Sequence, residues 1–278
     1  MSKKIELEAS RDFSDILNDT FVLIRQNFKP LLTAYFVICG VFLLTSILIS
    51  AFTNFNSDDP TLSFLFGFLK IVFSIFNVTA IHLTVLSFYV IYKEKGNIPP
   101  TVMEVWGYFR YYYFRVLGTQ FLSTIGLVIG IMLCLFPGIY LGIVFSLVTP
   151  IMVIENGNLE YSFKKAFKLI KGNWWLTLGT LLLTGILMAL LILALMIPPM
   201  IIYGGSQWLS GKNLDTIGDI LQAIMLNLSN ILSILPLTAL TLLYFALIDE
   251  KEGITLLKRM QLFGSKQTDA STSIIEEY

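Results

Sequence analysis

Few residues in this chain could do covalent or metal chemistry. The single histidine, His82, and the two cysteines, Cys39 and Cys134, all fall inside long apolar runs. One histidine cannot supply an HExxH pair or any other metal set, and a Ser-His-Asp arrangement needs an acid at the same depth. The uncharged runs contain no Asp, Glu or Arg. His82 therefore reads as a hydrogen-bonded packing residue rather than a ligand or proton relay. The chain is expected to have no catalytic residue, no cofactor and no metal.

Two sets of polar residues have a spacing that could bind. Lys70, Ser74, Asn77 and Thr84 recur on one face of a helix. A later run carries Asn227, Asn230, Ser233 and Thr241 in a similar way. Lys70, Ser74, Asn77, Thr84 and Asn230 could line a solute path. Interhelical hydrogen bonds, worth about 0.6 kcal/mol each, would account for the same residues without a solute. The second set is Lys164, Lys165, Lys168 and Lys171, followed by Trp174 and Trp175. Lysines on the polar face of an interfacial helix attract anionic lipid by about 1 kcal/mol each. Indole rings suit the headgroup level, so these six residues are candidate headgroup contacts.

The elements that must position these residues follow from composition. Hydrophobic residues make up 55 % of the 278, and charged residues only 14 %, against about 25 % in soluble domains. Long uncharged stretches alternate with short charged ones, the pattern of an all-α polytopic membrane bundle. Net charge is zero, so nucleic acid is not an expected partner. The first residues hold Glu6, Glu8, Asp12, Asp15 and Asp19 and no early apolar core. That is not a cleavable signal peptide.

Along the chain, residues 1–9 are expected to be disordered. An amphipathic helix over about 11–28 carries Phe13, Ile16, Leu17, Phe21, Ile24 and Phe28 on one face and ends at Pro30. The first span is 31–52. Residues 62–69 approach the membrane and 71–92 cross it, with Lys70 reaching back to the surface. Thr101 and Glu104 have capping-box spacing at the start of a second amphipathic helix, 101–115. The run from Val116 to Ile154 has no charge and far exceeds the roughly 20 residues of one crossing. It must cross twice, as 116–136 and 137–154, with Pro137-Gly138 as the corner. Gly126-xxx-Gly130 and Gly138-xxx-Gly142 would let helices approach closely, by packing within the bundle or between two copies. Asn158 caps a third amphipathic helix, 158–172. The fifth span, 174–200, ends at Pro198-Pro199 and contains Gly185-xxx-Ala189. A Gly-rich loop over 203–220 has Trp208 as an interfacial anchor, and the sixth span is 221–248. A short amphipathic helix is expected over 249–263, then a disordered tail, 264–278.

Three units result, each an amphipathic helix followed by two crossings. Their joints compare as LIRQNFKPLL, YFRYYYFRVL and LIKGNWWLTL, with Arg25, Arg110 and Lys171 three positions before Phe28, Tyr113 and Trp174. A threefold internal repeat would give these joints, and so would convergence wherever an interfacial helix meets a span. All 19 Lys and Arg except Lys70 and Lys212 fall on the side of the termini. The positive-inside rule then places both termini in the cytoplasm.

The run from Leu133 to Trp175 carries a further signal. Pro137-Gly138, Pro150, Glu155 to Gly157, Ser162 with Lys164 to Lys171, and Gly172-Asn173-Trp174 together form a pattern. It resembles bacterial inner-membrane proteins grouped with the membrane domain of glycerophosphoryl diester phosphodiesterase. The resemblance covers this run and is only general elsewhere. It implies a six-span bundle and no activity, because the hydrolytic domain of that family is a separate soluble barrel. The expectation is a non-enzymatic structural, lipid-interacting or partner-binding component of a bacterial inner membrane. Its partners would be membrane lipids, and another membrane protein or a second copy of the chain. The alternative is a small multi-pass transporter.

Overall fold

The computed structural model describes residues 5, 7, 11–55, 60–209, 221, 222 and 224–253. Among these residues there is no strand, and six helical segments are long and apolar enough to cross a membrane. The chain is an all-α, multi-pass membrane protein. In order, the helices are α1 (Phe13–Phe55), α2 (Pro60–Glu94), α3 (Val102–Leu133), α4 (Leu135–Ser146), α5 (Val148–Ile154), α6 (Leu159–Ile170), α7 (Trp174–Leu209) and α8 (Ile234–Glu252). A 3₁₀ turn over Asn230–Ser233 leads into α8, because Pro236 has no N–H to offer the Leu232 carbonyl.

Of the three amphipathic segments, the second continues without interruption into its span, and the first joins its span across a kink. In α1, two helices meet at a kink three residues before Pro30, close to the boundary expected there. The break from helical geometry falls at Asn27 (φ −111°, ψ 15°), where the Pro30 ring would press on the Gln26 carbonyl. Asn27 Nδ2 meanwhile donates to the Leu23 carbonyl at 3.1 Å. The buried stripe runs straight through the bend: Ile16, Thr20, Leu23, Asn27, Leu31, Ala34, Tyr35 and Ile38. Phe21 and Phe28 are about half exposed and face outward with the lipid-facing residues. In α3 nothing interrupts the hydrogen bonds at Arg115-Val116, and Val105, Phe109, Tyr112, Tyr113 and Val116 form one buried face. Among the described residues, α6 is the amphipathic segment that stands apart from the span following it. The three joints differ accordingly: Phe28 is exposed, Tyr113 is 8 % exposed with its hydroxyl donating to the Phe76 carbonyl, and Trp174 is half-buried.

The turn between the third and fourth crossings lies at Cys134 (φ −170°, ψ 149°), not at Pro137-Gly138. Pro137 sits in the first turn of α4, where its missing N–H costs nothing. Gly138 has a different task from turning the chain. A Cβ there would lie 2.5 Å from Ile131 Cγ1 and 2.9 Å from Ile131 Cα. At Gly130 it would lie 2.8 Å from Leu141 Cδ1, and at Gly126 2.9 Å from Phe145 Cε2. The glycine pairs are thus used up where α3 and α4 cross. Pro150, unable to bond the Ser146 carbonyl, separates α4 from α5 at Leu147.

Helix α2 runs unbroken for 35 residues, about 52 Å, so 62–69 continues the span as helix. From Lys93 back to Lys70 the rise is about 34 Å, close to the roughly 30 Å hydrocarbon core. A hydrocarbon core of that thickness fits between these two lysines. Helix α7 passes through Pro198-Pro199 to Leu209. The carbonyls of Ala194 and Leu195 lose their donors there, a defect that membrane helices tolerate. Residues 203–209 of the expected loop are therefore helical. Trp208's side chain, Lys212, residues 210–220 and 254–263, and most of 1–9 and all of 264–278 lie outside the described residues or side chains.

The last span, Ile224–Glu252, is the most enclosed, with 78 % of its apolar window buried. It packs on α1, α2, α5 and α7. Helix α7 has only 11 % buried and rests on α8 and α1 at the bundle's edge. Threonines reach the interior cheaply because each hydroxyl donates to the carbonyl four residues back. Thr20, Thr79, Thr84, Thr184, Thr238 and Thr241 all do so.

Candidate functional site

Polar groups collect at both ends of the bundle. At the basic end, Asn158 Oδ1 accepts the Tyr161 N–H at 2.8 Å and starts α6. Arg115, from α3, holds the preceding turn, donating to Asn156 Oδ1 at 3.0 Å and to the Gly157 carbonyl. This fixes Glu155 at the foot of α5, facing α6 and α8. Its carboxylate accepts from Tyr161 at 2.6 Å, from Tyr244 of α8, and from Lys165 Nζ at 2.7 Å. Lys165 also reaches Glu252 at 3.0 Å. Burial pushes Glu155 up, but the hydrogen bonds from Lys165, Tyr161 and Tyr244 outweigh it and hold the carboxyl below its usual 4.5. Burial likewise disfavours charged Lys165, and Glu155 and Glu252 reverse that, raising it above 10.5.

The six candidate headgroup contacts therefore divide. Lys165 has a side chain only 14 % exposed and locks α6 to α5 and α8. Lys164 is exposed and pairs with Glu160 one turn back. Lys168 is exposed and has no partner among the described residues. A recess of about 380 Å³ lies between α6 and α8, lined by Tyr161, Lys164, Lys165, Lys168, Lys251 and Glu252. Lys251 is the residue the sequence did not point to; its ammonium donates to the Lys171 carbonyl at 3.0 Å. Lys171 itself is exposed at the end of α6, outside the recess. Trp175 is 77 % exposed, while Trp174 is half-buried against it, rings edge to face with centroids 4.6 Å apart.

At the far end, four of the five stripe residues meet. Lys70, Ser74, Asn77 and Asn230 line a cavity of about 300 Å³, joined by Ser46 and Ser50 of α1, Gln222 and Asn227. Thr84 is not among them. It lies two turns deeper, fully buried, with its hydroxyl on the Ala80 carbonyl and 3.4 Å from Cys39 Sγ. Ser46 and Ser50, four apart in the first span, have the one-face spacing that would have placed them beside the stripe.

His82 lines a separate recess of about 200 Å³ with Gln120, Ser123, Ser146 and Thr149. It has no hydrogen-bond partner among the described residues, so it packs there without the bond expected of it. No three of His, Cys, Asp and Glu lie together among the described residues as a metal would require. No protein-family model, curated protein or solved structure matches the chain. What the two ends offer chemically is binding: a lysine-rimmed recess at one, an amide- and hydroxyl-lined cavity at the other.

Proposed function

We propose that the chain is a non-enzymatic, lipid-interacting component of a bacterial inner membrane. Its basic end faces the cytoplasm and engages anionic lipid headgroups. One observation carries this reading: Lys164, Lys168 and Lys251 rim a single recess between α6 and α8 at the edge of the bundle. The Lys165–Glu252 contact beside it ties these two helices together. The distribution of basic residues supports the same orientation, since only Lys70 and Lys212 fall on the other side. The exposed α7 leaves an edge against which lipid, another membrane protein or a second copy could lie. The resemblance carried by Leu133 to Trp175 is consistent with this reading and implies no activity.

The test is thermal unfolding in phosphatidylcholine nanodiscs, with and without phosphatidylglycerol. Anionic lipid should stabilise the parent, and a Lys164→Gln/Lys168→Gln/Lys251→Gln variant should lose most of that gain. An equal gain in both proteins would leave the lysines as ordinary anchors.

The far-end cavity favours a second reading, a small solute transporter. That reading needs the packed helices below Asn77 to part. Uptake unchanged by Asn77→Leu/Thr84→Leu in a stably folded protein would remove it.

A further inference from the structure

A third recess lies inside the membrane, apart from both ends, and four of its polar side chains have no partner in the protein. His82 of α2, Gln120 and Ser123 of α3 and Thr149 of α5 line it, and none of the four side chains bonds to a described residue. Their neighbours on the same lining do: Thr124 donates to the Gln120 carbonyl at 2.8 Å and Ser146 to the Ile143 carbonyl at 2.7 Å. Thr149 is 6 % exposed, yet its hydroxyl is not sealed. Among the described residues, the sealed and unpartnered polar atoms of the interior belong to Gln26, Tyr35, Asn77, Ser87 and Trp174. The surface that the Thr149 hydroxyl keeps opens on the recess it lines. Unmade hydrogen bonds are costly in hydrocarbon, so four free polar groups in one place call for an occupant.

Depth and lining say what that occupant is. His82 lies midway between Lys70 and Lys93, roughly 17 Å along α2 from each, near the middle of the hydrocarbon core that fits between them. Among the described residues the lining has no charged side chain, and Leu86, Leu127, Phe145, Leu237 and Leu240 give it apolar walls. A charged ligand would cross half the core to reach groups that do not neutralise it. A phospholipid headgroup stays at the surface, out of reach. Thr124 is exposed, on the face of α3 that also exposes Phe121 and Val128, so the recess opens sideways towards the acyl chains. Its volume of about 200 Å³ is below the roughly 300–1,000 Å³ of sites that enclose a whole ligand. It holds a compact head and leaves a tail in the lipid.

We infer that this recess binds the head of an uncharged, lipid-soluble molecule bearing carbonyl oxygens, of the class of the prenylated quinones. Ser123 and Thr149 each have a hydroxyl hydrogen to donate, and Gln120 and His82 an N–H. A carbonyl oxygen accepts such bonds and carries no donor of its own to strand in hydrocarbon. The ring packs on the leucines and Phe145, and the tail leaves past Thr124. The site shares no residue with the lysine recess, so each of the two readings stands or falls alone.

The experiment uses the full chain in phosphatidylcholine nanodiscs, with decylubiquinone as probe, decylbenzene as the same tail without oxygens, and thermal unfolding as readout. Decylubiquinone should raise the unfolding temperature, and decylbenzene should bind roughly tenfold more weakly. Thr149→Val/Ser123→Ala should leave the ligand-free unfolding temperature unchanged or raised, because neither hydroxyl has a protein partner. The same variant should weaken decylubiquinone binding roughly tenfold, and Gln120→Leu should act in the same direction. The Lys164→Gln/Lys168→Gln/Lys251→Gln variant should respond to the quinone as the parent does. A second arm adds dioleoylglycerol: stabilisation by it, with none by decylubiquinone, would assign the recess to a neutral glycerolipid and overturn the quinone. Equal responses to decylubiquinone and decylbenzene, or none to either, would overturn the site and leave the recess to water. A fall in ligand-free stability in both recess variants would make these side chains structural and overturn it as well.

Discussion

Lys165 shows why lysines on one helix face are not equivalent. Lys164 and Lys165 are neighbours in sequence, yet Lys164 sits in solvent beside Glu160 and Lys165 is enclosed by Glu155 and Glu252. Removing one member of an enclosed pair strands the other. Lys165→Met should therefore lower stability by about 2 kcal/mol, while Lys164→Gln should change it by less than about 0.5 kcal/mol; thermal unfolding in detergent reads both. The pH dependence has two signs. Glu155 titrates below 4.5 in the folded protein, so its contribution is complete above that value and is lost as pH falls through the lowered one. Lys165 titrates above 10.5, so its contribution is complete below that value and is lost as pH rises through the raised one. Stability at this end should be flat between these limits, and Glu155→Gln should flatten the acid limb. The amphipathic pattern of α6 was readable from sequence. The lock was not, because Glu252 is 87 positions from Lys165 and only the fold of α8 brings it there.

At the level of elements, local signals read best where they are short-range. Thr101 and Glu104 form the capping box their spacing implies, with Glu104 accepting the Thr101 N–H at 2.7 Å and Lys95 at 2.7 Å. These bonds hold the Glu104 carboxyl at about 2. Asn158 caps α6 as expected. Prolines are harder to read, because one residue type serves three purposes: Pro30 bends α1, Pro137 sits harmlessly in the first turn of α4, and Pro198-Pro199 lie inside α7. Glycines divide in the same way. Gly138 lets two backbones touch, whereas a Cβ on Gly185 would meet nothing within 4 Å. Gly138→Ala should push α3 and α4 apart and cost about 1–3 kcal/mol. Gly185→Ala should be neutral or stabilising by up to about 1 kcal/mol. Opposite outcomes in thermal unfolding would contradict the α3–α4 crossing.

Over the whole molecule, the burial of the last span and the exposure of α7 set what each face can do. The sequence showed uncharged runs of similar apolarity and so could not rank them; burial depends on which helix lies between the others. The polar stripe was legible as a face but not as a cavity, since Ser46, Ser50 and Gln222 come from other elements and Thr84 is claimed by Cys39. The central claim is that the basic end holds anionic lipid. Its most direct measurement is native mass spectrometry of the full chain, extracted gently from its own membrane beside the Lys164→Gln/Lys168→Gln/Lys251→Gln variant. The parent should carry bound anionic phospholipid and the variant should lose it. Equal lipid retention in the two, or a parent without lipid, would contradict the account.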